Sequence, residues 1–159
     1  MTSTNMIQVN GVIRNITQIT EDCSTLMIAM DAPTGIINML LTAETYVVDC
    51  IRLQIGMCIA AFYNGNDPVP LIYPPQYRSY IIAPLSGEDE VTLRFFDESL
   101  TASDQSLQLN ISPDTPILTI NGQAYSCSPE NKNLLVFYSI TTRSIPPQTP
   151  PDRIIVMNQ

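Results

Sequence analysis

The chain has 159 residues, 45% of them apolar, which suits one ordinary domain or two small ones and is too apolar for a disordered tail. Fifteen acidic residues stand against seven basic ones, a net charge of −8 with Lys132 the only lysine, so a basic face that displaces counterions from nucleic acid or anionic lipid is not expected. Histidine is absent, which removes His-based triads, His-ligated zinc and the usual general base near neutral pH.

Met1-Thr2-Ser3-Thr4-Asn5 lacks the basic start and apolar run of a secretory signal, and no apolar stretch is long enough to span a bilayer. The expectation is a cytoplasmic protein without membrane association. Gln8 to Ile13 predicts a weakly alternating strand with Ile7, Val9, Gly11 and Ile13 on one face. Thr25 to Met30 puts Leu26, Ile28 and Met30 on one side, and the turn Asp31-Ala32-Pro33-Thr34-Gly35 leads to a strand over Ile36 to Leu41. Thr45 to Ile55 spaces Val47, Ile51 and Ile55 for one or two helical turns. Met57 to Tyr63 and Tyr80 to Ala83 read as strands, with Asn64-Gly65-Asn66-Asp67 as a turn after the first.

The polar run Pro84 to Glu90 marks a boundary, giving units over 1–84 and 85–159. Beyond it, strands are predicted over Val91 to Phe96, Leu107 to Ile111, Leu134 to Tyr138 and Arg153 to Met157. Ser99 to Ser106 and Asn121-Gly122 supply turns, and Ser128-Pro129-Glu130-Asn131 has the start of a short helical turn. Thirteen prolines argue against long helices, so the fold class is all-β.

Two blocks recur in the same order. Ile37 to Thr45 matches Leu107 to Thr115. Ala61-Phe62-Tyr63, Tyr73-Pro74-Pro75-Gln76, Arg78 and Ile81-Ile82 match Val136-Phe137-Tyr138, Ile145-Pro146-Pro147-Gln148, Arg153 and Ile154-Ile155. Ordered matches of this kind indicate a duplicated β unit, with the second copy shorter for want of a counterpart to Gln8–Ile13. The two copies would be barrels or half-barrels in tandem, separate or sharing one core.

A five-strand run opening on a strand with Gly11, with the bulky segment Leu53 to Ile59 before its fourth strand and a last strand returning to the first, resembles an OB-type barrel. Tyr138 to Val156, with Thr142-Arg143-Ser144-Ile145-Pro146-Pro147-Gln148 before its last strand, resembles a small uncharacterised β-barrel module of Gram-positive bacteria. That resemblance covers the second half nearly throughout and the first half more loosely, where Leu71-Ile72-Tyr73 departs from the pattern. It implies a bacterial OB-like fold and brings no activity with it.

Cys23, Cys50, Cys58 and Cys127 are widely spaced without a C-x-x-C pair, which predicts free, at least partly buried thiols and no zinc site. Glu21-Asp22, Glu88-Asp89-Glu90 and Asp97-Glu98 are the carboxylates a glycosidase would use, and equally are ordinary solvated turn residues. Asn64-Asn66-Asp67 and Glu88 to Glu90 lack the full ligand spacing of a calcium loop. Lys132 with Ser126 or Ser128 falls in a polar turn with nothing to lower its pKa. In each adjacent pair, Phe62-Tyr63, Phe95-Phe96 and Phe137-Tyr138, one ring is core and the other is available for stacking.

The paired prolines, flanked by Tyr63, Tyr73 and Tyr77 in one copy and by Tyr138 and Arg143 in the other, make the candidate ligand-binding residues. The competing reading makes the Pro-Pro-Gln turns scaffold between two strands. The expected function is a non-enzymatic binding or protein-interaction module for an unknown protein or small ligand. No metal, cofactor or nucleic acid is expected, and the oligomeric state is open. The alternatives are a carboxylate enzyme acting on a saccharide, or an OB-type single-stranded nucleic-acid binder if Arg14, Arg52, Arg78, Arg94, Arg143 and Arg153 share a face.

Overall fold

A small barrel closes only when its strands can meet around an interior filled by side chains. The computed structural model describes residues 5–21 and 23–157, so Met1–Thr4 and Asp22, a member of one candidate acid pair, lie outside the described residues. The chain divides into two compact units, Met1–Ser86 and Gly87–Gln159.

In the first unit the elements are β1 (Met6–Gln18), β2 (Leu26–Ala32), β3 (Gly35–Leu41), β4 (Tyr46–Val47), β5 (Cys58–Asn64) and β6 (Gln76–Leu85). Antiparallel neighbours run β3-β2-β1-β5-β6, and β3 also pairs with β6 in parallel, so these five strands form a closed barrel with β4 added on β6. Alternation explains what fills it: Ile28 and Met30 on β2, Ile37 and Met39 on β3, Ile59 and Ala61 on β5, with Ile13 and Ile82, form one buried cluster. Methionine's unbranched side chain suits the irregular space that five strongly coiled strands leave.

β1 has thirteen residues because it serves two partners. Its first half pairs with β5 through Met6 to Val12, its second with β2 through Val12 to Gln18, and a bulge between Ile13 and Asn15 bends it from one to the other. At the crossing a Cβ on Gly11 would lie 2.6 Å from the Asp31 carbonyl oxygen, closer than real side chains approach backbone. The Arg14 guanidinium binds the Asp31 carboxylate at 2.8 Å on the outside of the same crossing.

The second unit contains β7 (Glu90–Phe96), β8 (Gln108–Leu109), β9 (Ile117–Leu118), β10 (Lys132–Tyr138), β11 (Gln148–Thr149) and β12 (Arg153–Val156). A four-stranded sheet runs β7-β10-β12-β9, and β8 and β11 form a separate parallel pair. Isolated bridges Phe96–Ala102 and Thr101–Gln108 connect the two pieces. Phe96, Leu107, Leu109, Leu134, Val136 and Ile154 belong to its own buried cluster.

Several pairings recur between the units. Asn38 of β3 is opposite Gln76 in parallel register and its N–H donates to the Pro75 carbonyl at 2.9 Å. Gln108 of β8 is opposite Gln148 and its N–H donates to the Pro147 carbonyl at 2.8 Å. Thr45 Oγ1 accepts the Thr42 N–H at 3.0 Å while Thr42 Oγ1 accepts the Glu44 N–H at 3.2 Å. Thr115 Oγ1 and Ser112 Oγ repeat this turn with the Ser112 and Asp114 N–H groups at 3.1 and 3.2 Å. The Tyr73–Pro74 and Ile145–Pro146 bonds are both cis.

β7 pairs with β10 in antiparallel register, as β1 does with β5. After β7, Thr101 and Ala102 form only isolated bridges. Ile82 is opposite Ala61 and Ile154 is opposite Val136. Particular expectations are corrected. The alternating run Leu107 to Ile111 yields only a two-residue strand, although Leu107 and Leu109 do face the core.

Within Thr45 to Ile55 only Val48–Cys50 is helical, a single 3₁₀ turn with Asp49 at φ 66 and Cys50 at φ 51, and Ile55 is exposed rather than on a buried face. Ser128 to Asn131 is an irregular turn in which Ser128 Oγ accepts the Glu130 N–H. Lys132 begins β10 rather than lying in a turn. In the second unit Pro150 and Pro151 fall between β11 and β12, where β6 runs unbroken, and two residues without N–H groups account for the interruption.

Gly11→Ala should destabilise the protein by about 1–3 kcal/mol, because the added methyl meets backbone that can yield only by loosening the β1–β2 crossing. Urea unfolding of the variant beside the wild type measures it, and an unchanged midpoint would show that the crossing gives freely.

Candidate functional site

β5 and β6 leave the barrel at the same end, and the eleven positions between them carry four of the chain's prolines, at 68, 70, 74 and 75. Tyr63, near the end of β5, and Tyr77, near the start of β6, are brought together there. Their rings stack with centroids 3.9 Å apart and planes 13° from parallel. Both also pack against the barrel cluster, so the pair caps one end of the core and is fixed by it.

A groove of about 330 Å³ opens beside this stack, walled by Leu40, Tyr63 and Tyr77 on the barrel side and by Pro68, Val69 and Pro70 on the loop side. A second depression of about 450 Å³ shares Val69, Pro70, Gln76 and Tyr77 with the first and continues past Leu71, Ile72, Tyr73 and Pro75. Leu71 is fully exposed and Tyr73 is 83% exposed, an apolar display uncommon for a loop.

The polar rim of the groove is organised around Arg78. Its guanidinium donates to the Tyr80 hydroxyl and lies 4.8 Å from that ring's centroid, and the hydroxyl donates to Asp67 Oδ2 at 2.8 Å. Glu44 Oε1 is 3.9 Å and Asp67 Oδ2 4.0 Å from the same guanidinium. Exposed pairs of this kind add little stability. They place Arg78 and Asp67 together in the groove lining, with Glu44 near the cation.

Burial, and after it the neighbouring Tyr77 hydroxyl, holds the Tyr63 phenol above its ordinary pKa of 10.0. Burial and then the Glu90 charge do the same to Tyr138. Asp104 is held below the usual carboxylate value, first by the Ser106 hydroxyl; its backbone contacts and Arg94 act in the same direction.

Of the tyrosines singled out in the sequence, Tyr63 and Tyr77 form the stack, and Tyr73 lines the adjoining depression. Tyr138 packs against the second unit's cluster, and Arg143 is exposed on the way to the second Pro-Pro-Gln turn. The stacking partner in the first pair is Tyr63, which turns with Ala61 toward the barrel, while Phe62 is buried on the other face of β5. The sequence does not single out Val69, Gln76 and Tyr80 as binding residues, and it offers Asp67 and Arg78 only for calcium and for a basic face. The signal available was an apolar run, Pro68 to Pro75, where a loop is expected to be polar.

Other candidate groups have structural work. Asp97 Oδ1 accepts the Ser99 and Thr101 N–H groups at 2.8 and 3.0 Å, which makes it a turn former. Asn64 Oδ1 accepts the Asn66 N–H at 2.9 Å. Among the described residues no three His, Cys, Asp or Glu side chains group so as to hold a metal ion. The four cysteines are free but exposed, contrary to the burial expected of them. Arg14 and Arg94 are paired to Asp31 and Asp104, and the Arg153 guanidinium lies 4.5 Å from the Phe137 ring centroid. Among the described residues no helix is long and apolar enough to cross a membrane. No family model, curated protein or solved structure matches the chain.

A raised phenol pKa means folding favours the protonated Tyr63. Its contribution is complete below the unfolded value of 10.0 and is lost as pH rises through the higher folded value. Unfolding free energy should therefore fall with pH above about 10, and Tyr63→Phe should remove part of that fall. Denaturant curves taken across this range test it; identical slopes for variant and wild type would contradict the assignment.

Proposed function

We propose that the chain is a non-enzymatic binding module made of two related OB-like units in tandem, with its ligand surface on the first. The strand order of the closed barrel, first-second-third-fifth-fourth if β4 is set aside, supports the OB-like reading. The loop between the fourth and fifth barrel strands is one of the two that such folds use for ligands, and here it is the proline-rich wall of the groove. That is an argument from fold, and the residues carry the rest.

The observation that carries the function is the Tyr63–Tyr77 stack, opening into a groove whose opposite wall is stiffened by prolines. Rings locked by core contacts on one side and a wall of restricted φ on the other lose little entropy when a ligand enters. The tandem reading draws support from the shared Thr42–Thr45 and Ser112–Thr115 turns and the shared parallel registers. It also fits the family resemblance: Ser144 Oγ donates to the Pro146 carbonyl and the Gln148 N–H to Thr142 Oγ1, giving Ser-x-Pro-Pro-Gln a structural role in shaping the turn. The pairing of Arg14, Arg78 and Arg94 with carboxylates, at net −8, speaks against a polyanionic ligand.

The whole chain should retain a subset of an immobilised panel of oligosaccharides, extended peptides and single-stranded DNA. Tyr77→Ala should lose that subset, and Phe95→Ala, an exposed ring in the other unit, should keep it. Retention indifferent to Tyr77 would remove the groove from the account, and steady release of sugar from a panel member would show an enzyme instead.

A further inference from the structure

We infer that the groove and the depression continuing it receive an extended, proline-rich segment of a partner protein, with a basic residue at the Asp67 end. The inference rests on the binding-module reading and adds the class of partner.

Shape gives the first argument. The two depressions share Pro70 and Tyr77, so one ligand can run past both residues from the stack to Tyr73. A compact molecule would fill one side only; an extended chain uses both.

The chemistry of the walls gives the second. Prolines at 68, 70, 74 and 75 offer the loop side no N–H groups, so it has few donors with which to add a ligand strand by main-chain pairing. What the site offers instead is ring faces: the stacked tyrosines, the exposed Tyr73 and the prolines themselves. Aromatic-lined grooves of this sort suit polyproline II segments, whose side chains stand every third residue and whose backbone is already extended before binding.

A saccharide fits less well. The second depression has Gln76 and the two tyrosine hydroxyls as its polar side-chain groups, among Val69, Leu71 and Ile72. A sugar there would leave hydroxyls without partners, and an apolar peptide side chain would not.

Charge sets the direction. Asp67 and Arg78 line the first groove and Glu44 stands beyond it, 3.9 Å from the same guanidinium, so two carboxylates surround one cation on a chain of net −8. Lysine or arginine at that end of the peptide is complementary, and an acidic end is repelled.

The test uses the whole isotope-labelled chain and four probes: a synthetic decapeptide of prolines and leucines ending in two arginines, the same peptide with glycine replacing every proline, the same peptide ending in two glutamines, and chitohexaose. The proline peptide should shift the resonances of Tyr63, Val69, Gln76 and Tyr77 saturably. The glycine version should bind about tenfold more weakly, and Tyr77→Ala should weaken the proline peptide by about tenfold or more. Asp67→Asn should cost affinity for the arginine-ended peptide and not for one ending in two glutamines. Chitohexaose shifting the groove while the peptides leave it untouched would overturn the partner inference and keep the binding groove. Peptide shifts confined to residues outside the groove, with the groove silent to every probe, would overturn both. A fold check by the amide spectrum of Tyr77→Ala separates lost binding from lost structure.

Discussion

The rest of the molecule depends on a short parallel contact: β3 against the start of β6 through Asn38, Met39 and Leu40. Three of the antiparallel pairings join strands consecutive in the barrel and a fourth joins β1 to the distant β5, and the ring stays open until β6 returns beside β3. Parallel pairing needs a long connection, and here that connection holds β5 and the loop after it. Pro74 and Pro75 lead the chain into β6, and the Pro75 carbonyl accepts the Asn38 N–H at the start of the parallel contact. The same passage that closes the barrel therefore places the prolines beside the tyrosine stack. Barrel scaffold and groove wall are one stretch of chain.

How much was legible follows from what period and spacing can encode. Strands with a clean buried face, such as Ile28 and Met30 or Ile37 and Met39, were readable because alternation states the face directly. The length of β1 was not, since a bulge shifts the alternation midway and two partners share the strand. Val47, Ile51 and Ile55 imitated helical spacing; Asp49 and Cys50 adopt left-handed conformations there, which no pattern of apolar residues announces. In the second unit, apolar spacing suggested a five-residue strand at Leu107, yet only two residues find a partner, because β11, opposite it, is cut short ahead of Pro150.

The site was half legible. Tyr63, Tyr73 and Tyr77 could be named from their nearness to the prolines, but stacking of Tyr63 on Tyr77 requires two strands to end together, which is a property of the closed ring. The chain Arg78–Tyr80–Asp67 spans a register shift between Phe62 and Tyr63 on β5, where the β5 pairing passes from Ile81 to Ser79 and skips Tyr80. That irregularity is invisible in sequence, and it lies beside the groove.

Native-state hydrogen exchange at the Asn38 and Gln108 amides tests most directly whether the Pro-Pro-Gln passage closes each unit. Both N–H groups donate to the second proline of the turn, and the account predicts that they exchange only with the opening of their unit, at the free energy found for Ile28 and for Leu134 respectively. Exchange of either amide by local opening, at rates near those of the exposed turns while the buried strands stay protected, would contradict it.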